Sequence, residues 1–123
     1  MLRAFLMVGI GGFAGSVSRY GVSYLINKSV DHPFPFATFI INIVGCFIIG
    51  LLFGLGQRNQ WLESQGWLLL ATGFCGGFTT FSAFALENVK LIREQQSTIG
   101  LIYTISSVVI GILVCRMGIW LTR

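Results

Sequence analysis

Four apolar segments, Ala4 to Ile26, Phe36 to Gly56, Trp67 to Leu86 and Ile99 to Leu121, make up most of this 123-residue chain. Each runs to about 20 residues or slightly more, enough to cross the hydrocarbon core of a bilayer as a helix. The links between them, Asn27 to Pro35, Gln57 to Gly66 and Glu87 to Thr98, are short and polar, and leave no room for a water-soluble domain. Composition points the same way, with 10% charged residues and a mean hydropathy of +0.82, against about 25% charged in an ordinary globular domain. So few charges do not cover a globule's surface, so lipid is the expected solvent and a soluble enzyme is excluded. The expected fold is therefore all-α, a single domain of four transmembrane helices. Trp61, Trp67 and Trp120 fall near span ends, where indole rings sit at headgroup level.

Other classes drop out on smaller grounds. Eight Lys and Arg against four Asp and Glu give +4, but the basic residues stand singly, with no footprint for nucleic acid. Cys46, Cys75 and Cys115 lie in apolar runs and read as small hydrophobes, not as a disulfide framework or zinc motif. The first segment is long, studded with glycine and lacks a small-residue cleavage site, so it reads as a retained span and not a signal peptide.

Four spans place both chain ends on one side. Arg3, Arg58 and Arg123 then share that face, and Lys28, Lys90 and Arg93 the other; adding Arg116 to the first and Arg19 to the second keeps the balance. Orientation follows Lys and Arg asymmetry between faces, and here there is none. The expectation is dual topology, with two copies inserted in opposite senses and paired as an antiparallel homodimer. The alternative is a partner chain that sets the orientation.

Within the spans, Gly11 and Gly15, Gly50 and Gly54, and Gly73 and Gly77 pair at four-residue spacing, which lets helices approach closely in lipid. In the third span Gly76 and Gly77 precede the β-branched pair Thr79 and Thr80, so a helix is weakest there. Either the helix breaks, freeing carbonyls that can bind a cation, or it continues and the glycines serve packing. Phe81 and Phe84, three apart, share a face; their positive ring edges suit an anion's path, and equally they fill a core or face lipid.

Asn42, with Thr38 one turn before it, needs a partner for its amide, either a neighbouring helix or a permeating anion. Tyr103 and Ser107, with Ser106 adjacent, form a hydroxyl stripe that ends in the gap at Gly111. Arg19 snorkels or faces an aqueous vestibule, and Arg116 snorkels. Glu87, a carboxylate closing the third span, opposes the helix dipole and so calls for a specific partner. No Asp, Glu, Lys or His falls in a span interior, and the one histidine, His32, is in a link. Proton coupling then lacks a carrier, which favours passive movement, and donors without carboxylates favour an anion.

Three stretches, GGFAGSVSRY at Gly11 to Tyr20, ATFIINIVG at Ala37 to Gly45 and GFCGGFTTFSAF at Gly73 to Phe84, resemble the Fluc (CrcB) fluoride ion channels, and the likeness in length, layout and charge balance covers the whole chain. The resemblance implies an antiparallel dimer in a bacterial inner membrane with two pores that export fluoride passively and lower its cytoplasmic level. It implies that Phe81 and Phe84 meet fluoride with ring edges and that Asn42 donates to it. Thr38, Thr80, Ser82, Tyr103 and Ser107 would line the path, Arg19 would sit near the vestibule, and Glu87 matches an acidic position. Carbonyls of Gly76 and Thr79 from both chains would hold one structural Na⁺. Two positions depart from the family pattern: Ala37 replaces a commoner glycine before Thr38, and Gly111 has no hydroxyl. The rival readings are a small multidrug exporter, which needs a carboxylate where this first span has Ser16 and Ser18, and a non-transporting membrane subunit.

Overall fold

The computed structural model describes residues 1–123 and is entirely helical. Helix α1 is Leu2–Ser29, α2 is Phe36–Gly56, and α3 is a π-helical stretch, Leu62–Cys75, continued by one α turn, Gly76–Phe78. After a three-residue interruption come α4, Ser82–Arg93, and α5, Ser97–Thr122. Three helical segments are long and apolar enough to cross a membrane: α2, the bent α3–α4 segment Leu62–Arg93, and α5. At 28 residues α1 is also long enough, but Gly9, Gly11, Gly12, Gly15, Gly21 and Arg19 dilute its apolarity.

The helices pair as α1 with α3 and α2 with α5, and glycine lets both pairs come into backbone contact. A Cβ at Gly11 would collide with the Leu69 carbonyl, and one at Gly77 would lie 3.1 Å from the Cα of Gly12. Between α2 and α5, a Cβ at Gly118 would fall 2.7 Å from the Phe47 carbonyl oxygen. Dispersion between closely spaced backbones holds such helices together, since lipid removes any hydrophobic drive between them. Only 20 of 123 residues are buried, so most large apolar side chains, including Phe5, Phe13, Ile112 and Trp120, point outward. That pattern suits a lipid solvent and would not survive in water.

The helices outrun the apolar segments. Residues 62–66 and 87–93, assigned to links on polarity, are helical, because polar side chains mark where lipid gives way to headgroups and not where the backbone ladder stops. The interruption of the third span falls within the predicted stretch, at its Thr79–Thr80 end. Gly76 keeps helical angles (φ −63°, ψ −37°), and the chain turns extended only at Thr79 (φ −81°, ψ 159°). Gly77 serves contact with α1 instead, its Cβ position lying 3.1 Å from Ser16 Oγ.

The α4–α5 turn closes with the Gln96 N–H on the Leu91 carbonyl (2.7 Å) and the Gln95 N–H on that of Ile92 (3.1 Å). This is a Schellman end whose left-handed residue, Gln95 at φ 60°, is not glycine. Gln95→Gly is therefore expected to stabilise the fold by about 0.5–1 kcal/mol, read as a higher unfolding temperature in detergent.

Candidate functional site

The interruption is held open by one side chain. Asn42, in mid-α2, donates from Nδ2 to the Thr80 carbonyl (3.0 Å) and accepts the Thr80 N–H on Oδ1 (2.9 Å). An amide matches a peptide group in just this two-point way, whereas most side chains offer only one of the two functions. The consequence spreads along the backbone. In an unbroken helix the Thr80 N–H would bond to the Gly76 carbonyl; here Asn42 takes it. The Ala83 N–H, which would bond to Thr79, goes to Thr80 Oγ1 (3.2 Å). The Gly77 carbonyl accepts from Arg19 Nε (3.0 Å), a cation placed at a helix C-terminus, where the dipole favours it. The carbonyls of Gly76 and Thr79 are thus released from the ladder without a replacement.

Around this point lies an open cleft of about 490 Å³, lined by Asn42, Thr79, Thr80, Phe81, Phe84 and Ser107, among others, with Gly76 on its wall. Phe81 is 79% exposed and its ring centroid is 5.8 Å from that of Phe84 at a 42° tilt. Ser107 lines the cleft, while its Oγ is buried and has no hydrogen-bond partner. Of the two protons on Asn42 Nδ2 one is committed to Thr80, leaving the other. No lining side chain of the cleft carries a formal charge.

Thr38, Glu87 and Tyr103 stand apart from the cleft and bond one another. Thr38 Oγ1 donates to Glu87 Oε2 (2.7 Å) and Tyr103 Oη to Glu87 Oε1 (2.8 Å). Tyr103 is fully buried and its ring lies 4.9 Å from Phe84 and 5.4 Å, edge on, from Phe34, so Phe84 bridges cleft and cluster. Glu87 is half-buried inside α4, which corrects its placement as the polar end of a span, and the two hydroxyls supply the partner its position demanded. Glu87→Ala leaves both hydroxyls unpaired and is expected to destabilise the fold by about 2–6 kcal/mol, at 1–3 for each buried unsatisfied group; Glu87→Gln, which retains an acceptor, costs less. Thermal unfolding of the two variants side by side checks this.

Ser82 is exposed and reaches only Thr80, at 3.4 Å. Ser106 donates to the Ile102 carbonyl (2.6 Å) and so belongs to α5 alone. Gly111 faces Cys46, whose Sγ would be 3.3 Å from an added Cβ, so the missing hydroxyl reflects close packing. Two features escaped the sequence reading: the π-helical stretch, and Asn88, which donates to the Phe84 carbonyl (3.1 Å) and accepts from Thr104 Oγ1 (3.0 Å). Asn88 and Thr104 both lie within α4 and α5, and no spacing along the chain announces their pairing.

The family model described as CrcB-like protein, Camphor Resistance (CrcB), matches residues 6–119. The chain belongs to the CrcB family. It is 42% identical to the fluoride-specific ion channel FluC of Azobacteroides pseudotrichonymphae over 123 residues, covering 100% of this chain and 98% of that one. It is 42% identical to the FluC of Chlorobium phaeobacteroides (99% and 94% covered) and 38% identical to that of Flavobacterium psychrophilum (99% and 98% covered). Matches of this extent take in every element of the CrcB chain, including the interruption and both polar groups beside it.

Proposed function

We propose that this CrcB chain is a passive, fluoride-selective channel that releases fluoride across the bacterial inner membrane and lowers its cytoplasmic level. The observation that carries the reading is the uncharged cleft at a helix break, furnished with an amide donor and phenyl rings, in a chain whose full-length relatives are named fluoride channels. Fluoride is small and holds its water strongly, so a pore must replace that shell with small, well-placed donors. Asn42 offers its remaining N–H, and Phe81 and Phe84 offer the positive rims of their quadrupoles. Thr80, Ser82 and Ser107 add hydroxyl-bearing residues on or beside the cleft, whereas the hydroxyls of Thr38 and Tyr103 are spent on Glu87 and Tyr103 backs the Phe84 ring. Chloride, being larger, is excluded by the width of the path. Glu87, with both oxygens occupied by hydroxyls, is not a free proton carrier, which supports passive movement.

In this reading α1 is a fourth span, and two copies pair antiparallel, as the balanced Lys and Arg distribution favours. Gly76 and Thr79 then contribute two released carbonyl oxygens from each copy. Four such oxygens suit Na⁺, which would supply a fixed positive charge that holds the two breaks together. Arg19, bonded to Gly77, adds positive potential close by and draws anions toward the mouth.

Growth tests the export role. A bacterium lacking its own fluoride exporter should regain growth in fluoride medium when it expresses this chain. Phe81→Ile and Phe84→Ile, which keep bulk but remove the ring edges, should each abolish the rescue while the protein remains at wild-type abundance. Full rescue by both variants would remove the phenyl edges from the mechanism.

A further inference from the structure

The corner where α2 ends and α3 begins holds a second cavity of about 320 Å³, lined by Phe53, Gly56, Gln57, Glu63 and Trp67, none of which lines the cleft. We propose that this corner binds an alkylammonium group, of the kind carried by an ethanolamine or choline headgroup or by a free amine. Its lining is of one electrostatic sign. The Phe53 and Trp67 rings meet edge to face with centroids 6.4 Å apart, and Trp offers the strongest aromatic face for a cation. Glu63 adds a full negative charge, and α2 reaches the corner with its C-terminus, which has no basic residue in its last turn and so keeps the negative end of its dipole. Gly56 brings the end of α2 alongside Glu63, whose Cα would lie 3.7 Å from a Cβ at that position.

The carboxylate is also uncommitted. Nearby polar side chains are spent elsewhere: Arg3 donates to Gln65 (2.8 Å), Asn59 accepts the Leu62 N–H (3.0 Å), and Ser64 donates to the Gln60 carbonyl (2.9 Å). Arg58, the next residue after Gln57, is not part of the lining. An acid that shares this lining with two aromatic rings, at a helix end, fits a cation with an apolar shell better than a hydrated metal ion. The inference is independent of which anion the cleft conducts.

The test uses the full chain with Trp61→Phe and Trp120→Phe, so that Trp67 is the single indole, in nanodiscs of phosphatidylglycerol. Methylammonium and tetramethylammonium are titrated at constant ionic strength against sodium chloride. The expected result is a saturable change in Trp67 emission with either ammonium ion and none with sodium. Glu63→Gln should weaken the midpoint about tenfold while fluoride efflux stays at the wild-type rate, and Phe53→Leu should weaken it less. In discs containing phosphatidylethanolamine, emission already shifted before titration and a raised midpoint would identify the lipid headgroup as the source; an unchanged midpoint would identify a free amine. An unsaturable response, an equal response to sodium, or a Glu63→Gln midpoint equal to wild type would overturn the proposal.

Discussion

Asn42→Leu is expected to close the break and silence the pore. Leucine has the same number and branching of side-chain heavy atoms as asparagine but offers neither a donor nor an acceptor, so the Thr80 N–H and carbonyl lose the partners that now lie at 2.9 and 3.0 Å. Each group left unmet in a dry interior costs about 1–3 kcal/mol. The cheapest repair returns the Thr80 N–H to the Gly76 carbonyl and straightens the helix, which withdraws that oxygen from any cation. Fluoride efflux from liposomes should fall at least about 100-fold, in line with the loss of a hydrogen bond to a charged group together with the break that positions it. Asn42→Asp removes only the donor half of the pair. A carboxylate still accepts the Thr80 N–H but sets an oxygen against the Thr80 carbonyl, which loses its donor, and it has no donor for an anion, so flux should be lost together with part of the thermal stability. Wild-type efflux from Asn42→Leu would show that the amide is incidental.

Gly15→Leu has the largest expected effect on the fold. Gly15 is buried against α3, where an added Cβ would collide with the Phe74 carbonyl and lie 2.8 Å from the Phe78 nitrogen. Both obstacles are backbone and neither can rotate away, so α1 must separate from α3. The cost should exceed the roughly 1–3 kcal/mol of ordinary overpacking, and because Phe78 directly precedes the break, flux should be lost as well. Gly21→Ala is the control: nothing lies within 4 Å of its Cβ position, and its effect should stay within about 0.5 kcal/mol. Equal unfolding temperatures for Gly15→Leu and wild type would contradict the packing account.

The apolar runs made an all-helical membrane chain legible, because lipid imposes a length and a polarity that can be read directly. Helix ends were not legible on the same terms: residues 62–66 and 87–93 lie outside the apolar runs, yet the helices run through them. The glycine pairs announced close contacts, yet which helix each would meet depends on rotation about the axis, which spacing alone leaves open. At the break, local propensity pointed to the stretch from Gly76 to Thr80, and within it the backbone departs at Thr79 because a side chain 38 residues upstream pairs with Thr80. The need for a partner at Asn42 could be read from the cost of burying an amide, and that at Glu87 from a carboxylate's opposition to the helix dipole. Their partners, Thr80 in one case and Thr38 with Tyr103 in the other, come from tertiary placement.

The most direct measurement is ion release from liposomes that contain the purified chain. Vesicles loaded with potassium fluoride, in sodium-containing buffer with valinomycin to carry the balancing potassium, are followed with a fluoride electrode beside a potassium chloride control. Rapid fluoride release with no chloride release above that of empty vesicles is the predicted result. Comparable release of both ions, or release of neither from folded protein, would contradict a fluoride-selective pore at the break.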